Sequence, residues 1–259
     1  MSFEFDGEKY KEASSHQKEW GKKLISELAL KGDEKVLDLG CGDGALATQL
    51  AQRVPDGFVL GIDASKGMID AALKACDRNN LRFELMDIND IDFVNEFNVV
   101  FSNATLHWIK DHKRLLANVY RSLKNDGVAR LNFAGEGNCS CFFRVVKEVM
   151  AESSYAGCFT DFEWPWYMPK VKEYGTVVEQ FPFKEKRVWG ENVDKYFPNV
   201  EAMVKWVEQP SLVPFLVCVG KKHRVSFRDA VVERMIDETV QADGTCFETF
   251  RRINMFARK

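Results

Sequence analysis

The sequence lacks a surplus of basic residues. Its 259 residues include 36 lysines and arginines against 39 aspartates and glutamates, so the formal net charge is −3. Since nucleic acid is bound largely through its phosphates, this balance supplies no general basic field for it. The chain also lacks any apolar run near the roughly 20 residues that a membrane-spanning helix requires. We therefore expect neither nucleic acid nor a membrane as a partner.

Zinc-binding cysteine pairs are absent too. The nearest two of the seven cysteines, Cys139 and Cys141, lack the C-x-x-C spacing and the second pair of a structural zinc site. The odd number of cysteines, and the lack of an apolar leader at the N-terminus, predict reduced thiols and a cytoplasmic protein. We expect no metal site.

No linker, low-complexity run or internal repeat divides the chain, and an apolar content of 46% is enough for a substantial core. The sequence therefore predicts a single domain over 1–259. Within it we expect an α/β core over about 24–135, an insertion over about 136–182, and a part over about 183–259 that completes the sheet.

Short β-branched runs alternate with helical stretches from Leu24 to Val145, which is typical of a parallel sheet covered by helices. The predicted strands are Lys35-Leu39, Phe58-Ile62, Leu81-Leu85, Asn98-Ser102 and Val128-Phe133. The predicted helices between them are Ala45-Arg53, Lys66-Cys76 and Lys113-Leu123. With terminal strands returning to the sheet, the fold class is α/β, a Rossmann-like, doubly wound, mostly parallel seven-stranded sheet.

Aromatic residues dominate once this alternation ends after Ala134. They are Phe142, Phe143, Tyr155, Phe159, Phe162, Trp164, Trp166 and Tyr167. We interpret the segment as a helical insertion after strand five, able either to wall an apolar ligand pocket or to form ordinary core. The sequence that follows this segment predicts a strand near Phe183-Trp189, a helix at Ser226-Ala242 and a final strand at Cys246-Phe256.

A glycine-rich turn, Gly40-Cys-Gly-Asp-Gly44, follows the first predicted strand directly. Glycine lets the backbone turn tightly and approach a ligand, and the helix that follows presents unpaired N–H groups. The second predicted strand ends in Gly61-Ile-Asp63, where a carboxylate can accept both hydroxyls of a ribose. The two features together predict a nucleotide-like ligand at the carboxyl ends of the strands.

Two ligands compete for such a turn, a nicotinamide dinucleotide and S-adenosylmethionine (SAM). The dinucleotide fingerprint is G-x-G-x-x-G, whereas this turn is G-x-G-x-G and is preceded by Asp38. An acid at that point repels a pyrophosphate but can pair with the ammonium of a methionyl group. The residues therefore favour SAM over the oxidoreductase alternative.

Several motifs in order resemble those of the class I SAM-dependent methyltransferases. Val36-Leu-Asp-Leu-Gly-Cys-Gly-Asp-Gly44 looks like their first motif, Gly61-Ile-Asp-Ala-Ser65 their second and Met86-Asp87-Ile88 their third. The stretch from Asn103 to Trp108 resembles the fourth, and Leu123-Lys-Asn-Asp-Gly127 is similar to their L-K-P-G-G turn without its proline and one glycine. The resemblance spans about residues 20 to 135 and is nearly silent about the acceptor.

The resemblance implies a role for each matching residue. It assigns Asp38, Gly40 and Asn103 to the methionyl end, with Cys41 and Gly42 in the same turn; Asp63 and Ala64 to the ribose; Asp87 and Ile88 to the adenine; and Met68 to packing on the ring. The alternatives are a capping or turn role for Asp38 or Asp87 and a simple core role for Met68. The expected product is S-adenosylhomocysteine.

A looser resemblance concerns the acceptor. Tyr10-Lys-Glu-Ala-Ser-Ser-His-Gln17, Leu106-His-Trp108 and Asp243-Gly-Thr-Cys-Phe-Glu-Thr-Phe-Arg-Arg252 look like segments of trans-aconitate and insect juvenile hormone acid methyltransferases, which esterify carboxylates. It implies that Gln17 and Trp108 orient a carboxylate of a small-molecule acid through an amide and an indole N–H.

A base is the open question at this site. A carboxylate is ionised at pH 7 and needs none, whereas amine or phenol acceptors require proton removal. His107 is the candidate base, with a structural histidine as the alternative. Arg144, Arg228 and Arg252 are candidate clamps for a polyanionic acceptor. Methylation of an amine, phenol or carbon, and SAM binding without turnover, remain open, as does the choice between monomer and homodimer.

Overall fold

The computed structural model describes residues 15–75 and 78–259. The helices in chain order are α1 (Ser15–Ser26), α2 (Ala45–Arg53), α3 (Lys66–Ala75), α4 (His112–Ser122), α5 (Ser140–Met150), α6 (Val171–Glu179), α7 (Val200–Trp206), α8 (Val213–Cys218) and α9 (Gly220–Thr239). The strands are β1 (Lys35–Leu39), β2 (Phe58–Asp63), β3 (Leu81–Leu85), β4 (Phe97–Asn103), β5 (Leu123–Ala134), β6 (Glu185–Asn192), β7 (Lys195–Phe197), β8 (Cys246–Glu248) and β9 (Arg251–Arg258).

These residues form two compact units. The first takes the described residues up to Glu136, together with Trp166–Glu191 and Arg252–Lys259; the second takes Gly137–Pro165 and Asn192–Arg251. The single domain over 1–259 stays a prediction. Tyr10–Ser14 of the N-terminal motif, and Cys76 at the end of a predicted helix, lie outside the described residues. Within the described ranges no helix has the length and apolarity to cross a membrane.

The first unit is built on a seven-stranded sheet in the order β3-β2-β1-β4-β5-β9-β6. Strands β1 to β5 pair in parallel, and β9 runs antiparallel to β5. The prediction of a mostly parallel, seven-stranded, Rossmann-like sheet is therefore confirmed. Because parallel strands end at the same edge, Asp38, Asp63 and Asn103 lie along one edge, where α/β sheets bind ligands.

Helices cover both faces of this sheet because its central strands are apolar on both sides. Successive side chains of a strand point to opposite faces. Val36 accordingly belongs to one buried apolar cluster and its neighbour Leu37 to another, and both are fully buried. Each such side chain contributes about 1.5–3 kcal/mol by leaving water. The apolar pattern of the strands therefore determines the sheet. The sheet in turn determines the edge that carries the candidate site.

The second unit contains the aromatic-rich insertion, whose aromatic cluster is confirmed. The rings of Phe142, Phe159, Phe162 and Trp164 lie 5.1–6.4 Å from the ring of Phe215. Such edge-to-face and tilted arrangements are the favoured geometry of aromatic pairs. Trp166 and Tyr167, which the sequence grouped with these residues, belong instead to the first unit.

The final strand differs from its prediction as one continuous strand over Cys246-Phe256. Strand β8 pairs with β7 in a separate two-stranded sheet, and β9 starts at Arg251 in the large sheet. The interruption coincides with a long-range contact, because the Glu248 carboxylate accepts hydrogen bonds from the backbone N–H group of Phe142, 106 residues away, and from that of Thr249. Strand β5 also begins five residues earlier than predicted, at Leu123.

Candidate functional site

The glycine turn is fixed by contacts with the two neighbouring strands. The N–H groups of Gly40 and Cys41 donate to the carbonyl of Ile62 at 2.8 and 2.9 Å. Gly40 has φ +72°, and a Cβ there would lie 2.1 Å from a methyl carbon of Thr105. The Thr105 hydroxyl also donates to the Gly40 carbonyl at 3.1 Å. Glycine is therefore required at position 40 by its backbone angle and by this close approach.

Asp63 holds the same turn from the end of β2. Its carboxylate accepts the N–H of Gly42 at 3.0 Å through Oδ2 and the N–H of Ser65 at 2.9 Å through Oδ1. Sequence reasoning gave this residue a role toward the ligand only. Each carboxylate oxygen has a second lone pair, so Asp63 can brace the turn and still accept a ribose hydroxyl. Ala64, between the braced residues, is half-buried at the same edge.

Asp38 is a strongly perturbed acid of the site. It is 2% exposed, and its Oδ2 has no hydrogen-bond partner among the described residues. Burial, followed by the negative charge of Asp63, raises the pKa of Asp38 to about 8. A buried carboxylate of this kind becomes stable in its ionised form when a cation pairs with it. The ammonium of a methionyl group is such a cation, so this residue fits SAM.

Two other predicted cofactor residues lie where β3 ends. The Met86 N–H donates to the Asp63 carbonyl at 3.0 Å, which sets the third motif beside the second. Asp87 accepts from the N–H and the side-chain amide of Asn89 at 2.8 and 2.9 Å and caps a short 3-10 helix that begins at Ile88. The capping alternative weighed for Asp87 is thus present in the structure. Met68, on α3, is 4% exposed.

The end of β4 is tied to helix α1 through Asn103. Its amide N–H group donates to the backbone carbonyl of Gln17 at 2.9 Å. The Oδ1 of Asn103 and the Oε1 of Gln17 are both buried, and neither has a hydrogen-bond partner within the described part of the chain. Because buried polar atoms are normally hydrogen-bonded, such orphans indicate space for a ligand. The structure therefore brings Gln17 to the candidate site.

His107 and Trp108 lie on a 3-10 helix, Leu106–Trp108, that follows β4. His112 anchors this helix, since its Nε2 lies 2.9 Å from the Leu106 carbonyl and its Nδ1 lies 3.2 Å from the Tyr174 hydroxyl. Burial lowers the pKa of His112 to about 4. The ring is therefore neutral, with Nε2–H donating to the carbonyl and Nδ1 accepting from the hydroxyl. Sequence reasoning missed this supporting histidine because its partners are remote in sequence.

His107 itself is a weak base. Its Nδ1 is buried and has no hydrogen-bond partner among residues 15–75 and 78–259. Burial, followed by the positive charge of Arg252, lowers the pKa of His107 well below its ordinary value. The Trp108 ring lies 5.7 Å from the His107 ring and 5.1 Å from that of Trp166. The pair thus combines a neutral imidazole with an indole.

The candidate arginine clamps differ in environment. Arg144 binds Glu238 at 2.8 Å and Arg228 binds Asp229 at 2.6 Å, both as exposed pairs of the second unit. Arg252 is 4% exposed and belongs to the first unit. The sequence analysis did not predict a further ion pair, in which the Lys18 ammonium lies 2.6 Å from the carboxylate of Asp43 in the glycine turn.

Comparison with known proteins gives a consistent result. Residues 36–127 match the family model described as a methyltransferase domain. The trans-aconitate 2-methyltransferase of Deinococcus radiodurans is 30% identical over 187 residues, which cover 70% of each chain. That of Methylobacterium radiotolerans is 28% identical over 247 residues, 91% of each chain. A solved loganic acid methyltransferase with S-adenosylhomocysteine aligns with TM-score 0.69 at 10% identity, covering 98% of this chain and 94% of that one.

The match to the family model includes the glycine turn, Asp63 and the strand end at Asn103, where the buried carboxylates and orphaned polar atoms are found. The identity to the first of these relatives extends over more than two thirds of both chains. The chain belongs to the SAM-dependent methyltransferases.

Proposed function

We propose that this methyltransferase transfers the methyl group of SAM to a carboxylate oxygen of a small-molecule acid, and that it works in the cytoplasm. When bound, SAM supplies a methyl group on a positively charged sulfur. The acceptor oxygen forms the new C–O bond as the S–CH₃ bond breaks, and sulfur keeps that electron pair. The products are a methyl ester and S-adenosylhomocysteine, and no proton is released.

The observation that carries the proposal is the state of His107. A general base is normally oriented by a hydrogen bond on its second nitrogen, and its pKa is tuned toward neutrality. The buried Nδ1 of His107 has no such partner within the described residues, and its pKa lies well below the ordinary value. An acceptor that is already ionised at pH 7 needs no base, and a carboxylate meets this condition.

The names of the compared proteins support the same acceptor class. The two bacterial relatives are named for trans-aconitate and the solved structure for loganic acid, both of which are acids.

The proposal of a cytoplasmic location rests on the thiols. All six cysteines in the described part of the chain are free, as expected of a protein kept in a reducing compartment.

For the cofactor we propose the assignments that the motifs imply. Asp38, Gly40 and Asn103 hold the methionyl end with Cys41 and Gly42, Asp63 and Ala64 the ribose, Asp87 and Ile88 the adenine, and Met68 packs on the ring. The buried oxygens of Asp38 and Asn103 that have no hydrogen-bond partner in the described ranges support the first group.

On the acceptor side we propose that Gln17 and Trp108 orient the reacting carboxylate. Gln17 accepts a hydrogen bond from Asn103 at its backbone carbonyl, and its side-chain Oε1 is buried. Its side-chain amide can donate from the N–H₂ group, and the Trp108 indole can donate from Nε1. These residues act by alignment rather than by proton transfer, and alignment alone can supply much of the acceleration of a displacement.

The proposal is tested by incubating the protein with methyl-labelled SAM and a panel of carboxylic acids, amines and phenols. We expect label in base-labile esters, a rate that is nearly flat above pH 6, and substantial activity in His107→Ala. Gln17→Ala and Trp108→Phe should each lower turnover, by roughly 10- to 100-fold if one orienting hydrogen bond is lost.

Two results would contradict the proposal. Label in an amine or phenol, with a rate that rises tenfold per pH unit through neutrality, would make proton removal part of the reaction. Loss of nearly all activity in a folded His107→Ala variant, checked by its melting temperature, would point the same way. Either result replaces the carboxylate with an acceptor that must be deprotonated.

A further inference from the structure

Strand β3 forms one end of the large sheet. Among residues 15–75 and 78–259 it pairs with β2 alone, in a register that runs without a shift over its whole length. Its sequence, Leu-Arg-Phe-Glu-Leu, contains neither lysine nor proline, the residues that commonly protect a sheet edge against a further strand. An unprotected edge strand of this kind can pair with another strand.

The hydrogen bonds to β2 show which backbone groups of β3 face outward. The carbonyl of Asn80 accepts from the Val59 N–H at 2.9 Å. The N–H of Met86 donates to the Asp63 carbonyl at 3.0 Å. Even-numbered residues therefore direct their backbone groups toward β2, and since this direction alternates along a strand, odd-numbered residues direct theirs outward. Phe83, at the centre of β3, thus presents its N–H and its C=O at the outer edge.

The side chains of β3 are arranged symmetrically about Phe83. Leu81 and Leu85 flank it on the same face of the sheet, whereas Arg82 and Glu84 flank it on the opposite face. The ring of Phe83 is buried, but Leu85 is 57% exposed. Arg82 and Glu84 form an exposed ion pair whose closest atoms are 3.9 Å apart. Opposite charges therefore occupy mirror positions along the strand.

The strand that matches this order is a second copy of β3. In an antiparallel pair with a two-fold axis at Phe83, Arg82 of each copy lies opposite Glu84 of the other. Opposed side chains have Cβ atoms about 4.5–5.5 Å apart, so opposite charges attract there and like charges repel. Moving the axis by one residue sets Arg82 against Arg82, or Glu84 against Glu84. A slip by one residue in pairing sets Leu81 against Glu84. The charges therefore select one register.

The backbone groups favour the same register. At the axis, Phe83 of each copy donates its N–H to the Phe83 carbonyl of the other. Away from the axis, the Leu85 N–H of each copy donates to the Leu81 carbonyl of the other. The N–H of Leu81 already donates to the Arg78 carbonyl at 3.2 Å, so it is not needed for the pairing. The outward-facing groups of β3 thus find partners without any change in the strand.

Helix α3 adds apolar surface on one side of this edge. Ile69 and Ala72 of α3 belong to the same buried cluster as Phe83, so α3 covers the face of β3 that carries Leu85. Leu73 of this helix is 57% exposed. A two-fold axis perpendicular to the sheet brings the α3 helices of both copies to the same side of the joined sheet. Association would therefore take part of the exposed leucine surface on that side out of water.

We propose that two copies of the chain associate through β3, antiparallel and in register about Phe83, so that their seven-stranded sheets form one continuous sheet. Such an interface uses the same surface on both copies, as expected of a two-fold dimer. Because β3 is short, the dimer is populated at high protein concentration and dissociates on dilution. The proposal is independent of the identity of the acceptor.

The first experiment reverses one charge at a time. Sedimentation velocity of the full chain over roughly 1–100 µM should show a concentration-dependent dimer in the wild-type protein. Arg82→Glu and Glu84→Arg each place like charges opposite one another at both symmetry-related positions. Each variant should therefore raise the dimer Kd by roughly 10- to 100-fold. The melting temperature and the Kd for SAM check that each variant is folded.

The second experiment uses the same two variants together. Arg82→Glu carries two acids on β3 and Glu84→Arg carries two arginines, so each repels itself but attracts the other. An equimolar mixture should form a heterodimer with a Kd close to that of the wild-type dimer, and the double variant carrying both changes should self-associate again. Residues with only a structural role would not show this reciprocal rescue.

A matched control is Arg187→Glu. It makes the same charge reversal in an exposed ion pair on β6, which forms the opposite end of the sheet. This variant should dimerise as the wild-type protein does. A wild-type protein that stays monomeric over the whole concentration range would overturn the inference. So would a dimer that neither single variant weakens, or two weakened variants that fail to associate when mixed. None of these results would affect the proposed function.

Discussion

The two halves of the site-bearing edge differ in charge. The half formed by β1, β2 and β3 presents three acids, Asp38, Asp63 and Asp87, whereas the half formed by β4, β5 and β9 presents amides and a guanidinium. Since opposite charges attract strongly where water is excluded, the first half suits a cationic ligand and the second an anionic one. Under the proposed function, the methionyl end of SAM, assigned to Asp38 and Asn103, spans this boundary, and an acid acceptor lies on the side of the amides.

The halves also differ in how they are built. The acids Asp63 and Asp87 are held by backbone N–H groups within about 20 residues of sequence, at Gly42, Ser65 and Asn89. The half formed by β4, β5 and β9 is held by side chains that come from distant segments, as in the hydrogen bond that Arg252 donates to Asn132. A site of the first kind can be inferred from a motif, and a site of the second kind requires the fold.

The largest expected effect comes from Asp38→Asn, which removes the buried negative charge of the cofactor half. Its SAM affinity should fall by roughly 100-fold or more, since breaking a buried ion pair typically costs about 3–5 kcal/mol. In the wild-type protein the affinity should strengthen from pH 6 to 8, because Asp38, with its pKa of about 8, must lose its proton to pair with a cation. Calorimetry across this pH range measures both effects.

The same variant should be more stable than the wild type without ligand. The pKa of Asp38 is raised in the folded state, so the native protein keeps a proton that the unfolded chain loses, and the free energy of unfolding falls as pH rises from about 4 to 8. Asp38→Asn abolishes this loss and should raise the melting temperature at pH 8. Equal SAM affinity in variant and wild type would show that the cofactor half is not defined by charge.

An intermediate effect is expected for Asp63→Ala. The variant loses a carboxylate that can accept two hydrogen bonds from the ligand. It also loses both hydrogen bonds that brace the glycine turn. Its SAM affinity should fall by about 1.5–3 kcal/mol, a factor of roughly 10 to 100. Titration calorimetry tests this, with the melting temperature as the check on folding. Unchanged affinity would assign Asp63 to the turn alone and leave Asp38 as the charge that matters.

The smallest effect is expected at the contact that joins helix α1 to the glycine turn. Lys18 is partly exposed, so its ion pair with Asp43 should contribute at most about 1 kcal/mol. Lys18→Met should therefore change SAM affinity and acceptor KM by less than about fivefold, and the change should shrink in high salt. A tenfold fall in SAM affinity, or a tenfold rise in the KM of the acceptor, would mean that the two halves are coupled through α1 and do not bind independently.

Much of the fold followed from local pattern. Strands Lys35-Leu39 and Leu81-Leu85 and the helix Ala45-Arg53 lie where apolar periodicity predicted them. The strand predicted over Cys246-Phe256 was wrong as one element, because its interruption depends on the Glu248 carboxylate and its partners more than 100 residues away. Local pattern carries no information about such a contact.

The site divides in the same way. The glycine turn and its acids were predictable because the spacing of Asp38, Gly40 and Asp63 reflects the geometry of adjacent parallel strands. The contacts of His112 and Arg252 were not predictable in this way. Their partners, Tyr174 and Asn132, lie 62 and 120 residues away in the chain. The low basicity of His107 likewise depends on its burial, which cannot be inferred from local sequence.

Strand β9 is the last strand in chain order, yet it lies inside the sheet, between β5 and β6. During synthesis on the ribosome, β5 and β6 must therefore wait with an open edge until residues 251–258 have emerged, and unpaired edges are prone to aggregation. Because Arg252 belongs to the same strand, the event that closes this edge also brings its guanidinium to the Asn132 side chain on β5. A nascent chain that has already acquired its glycine turn would thus still carry an open sheet edge, and chaperone dependence should end only when β9 inserts.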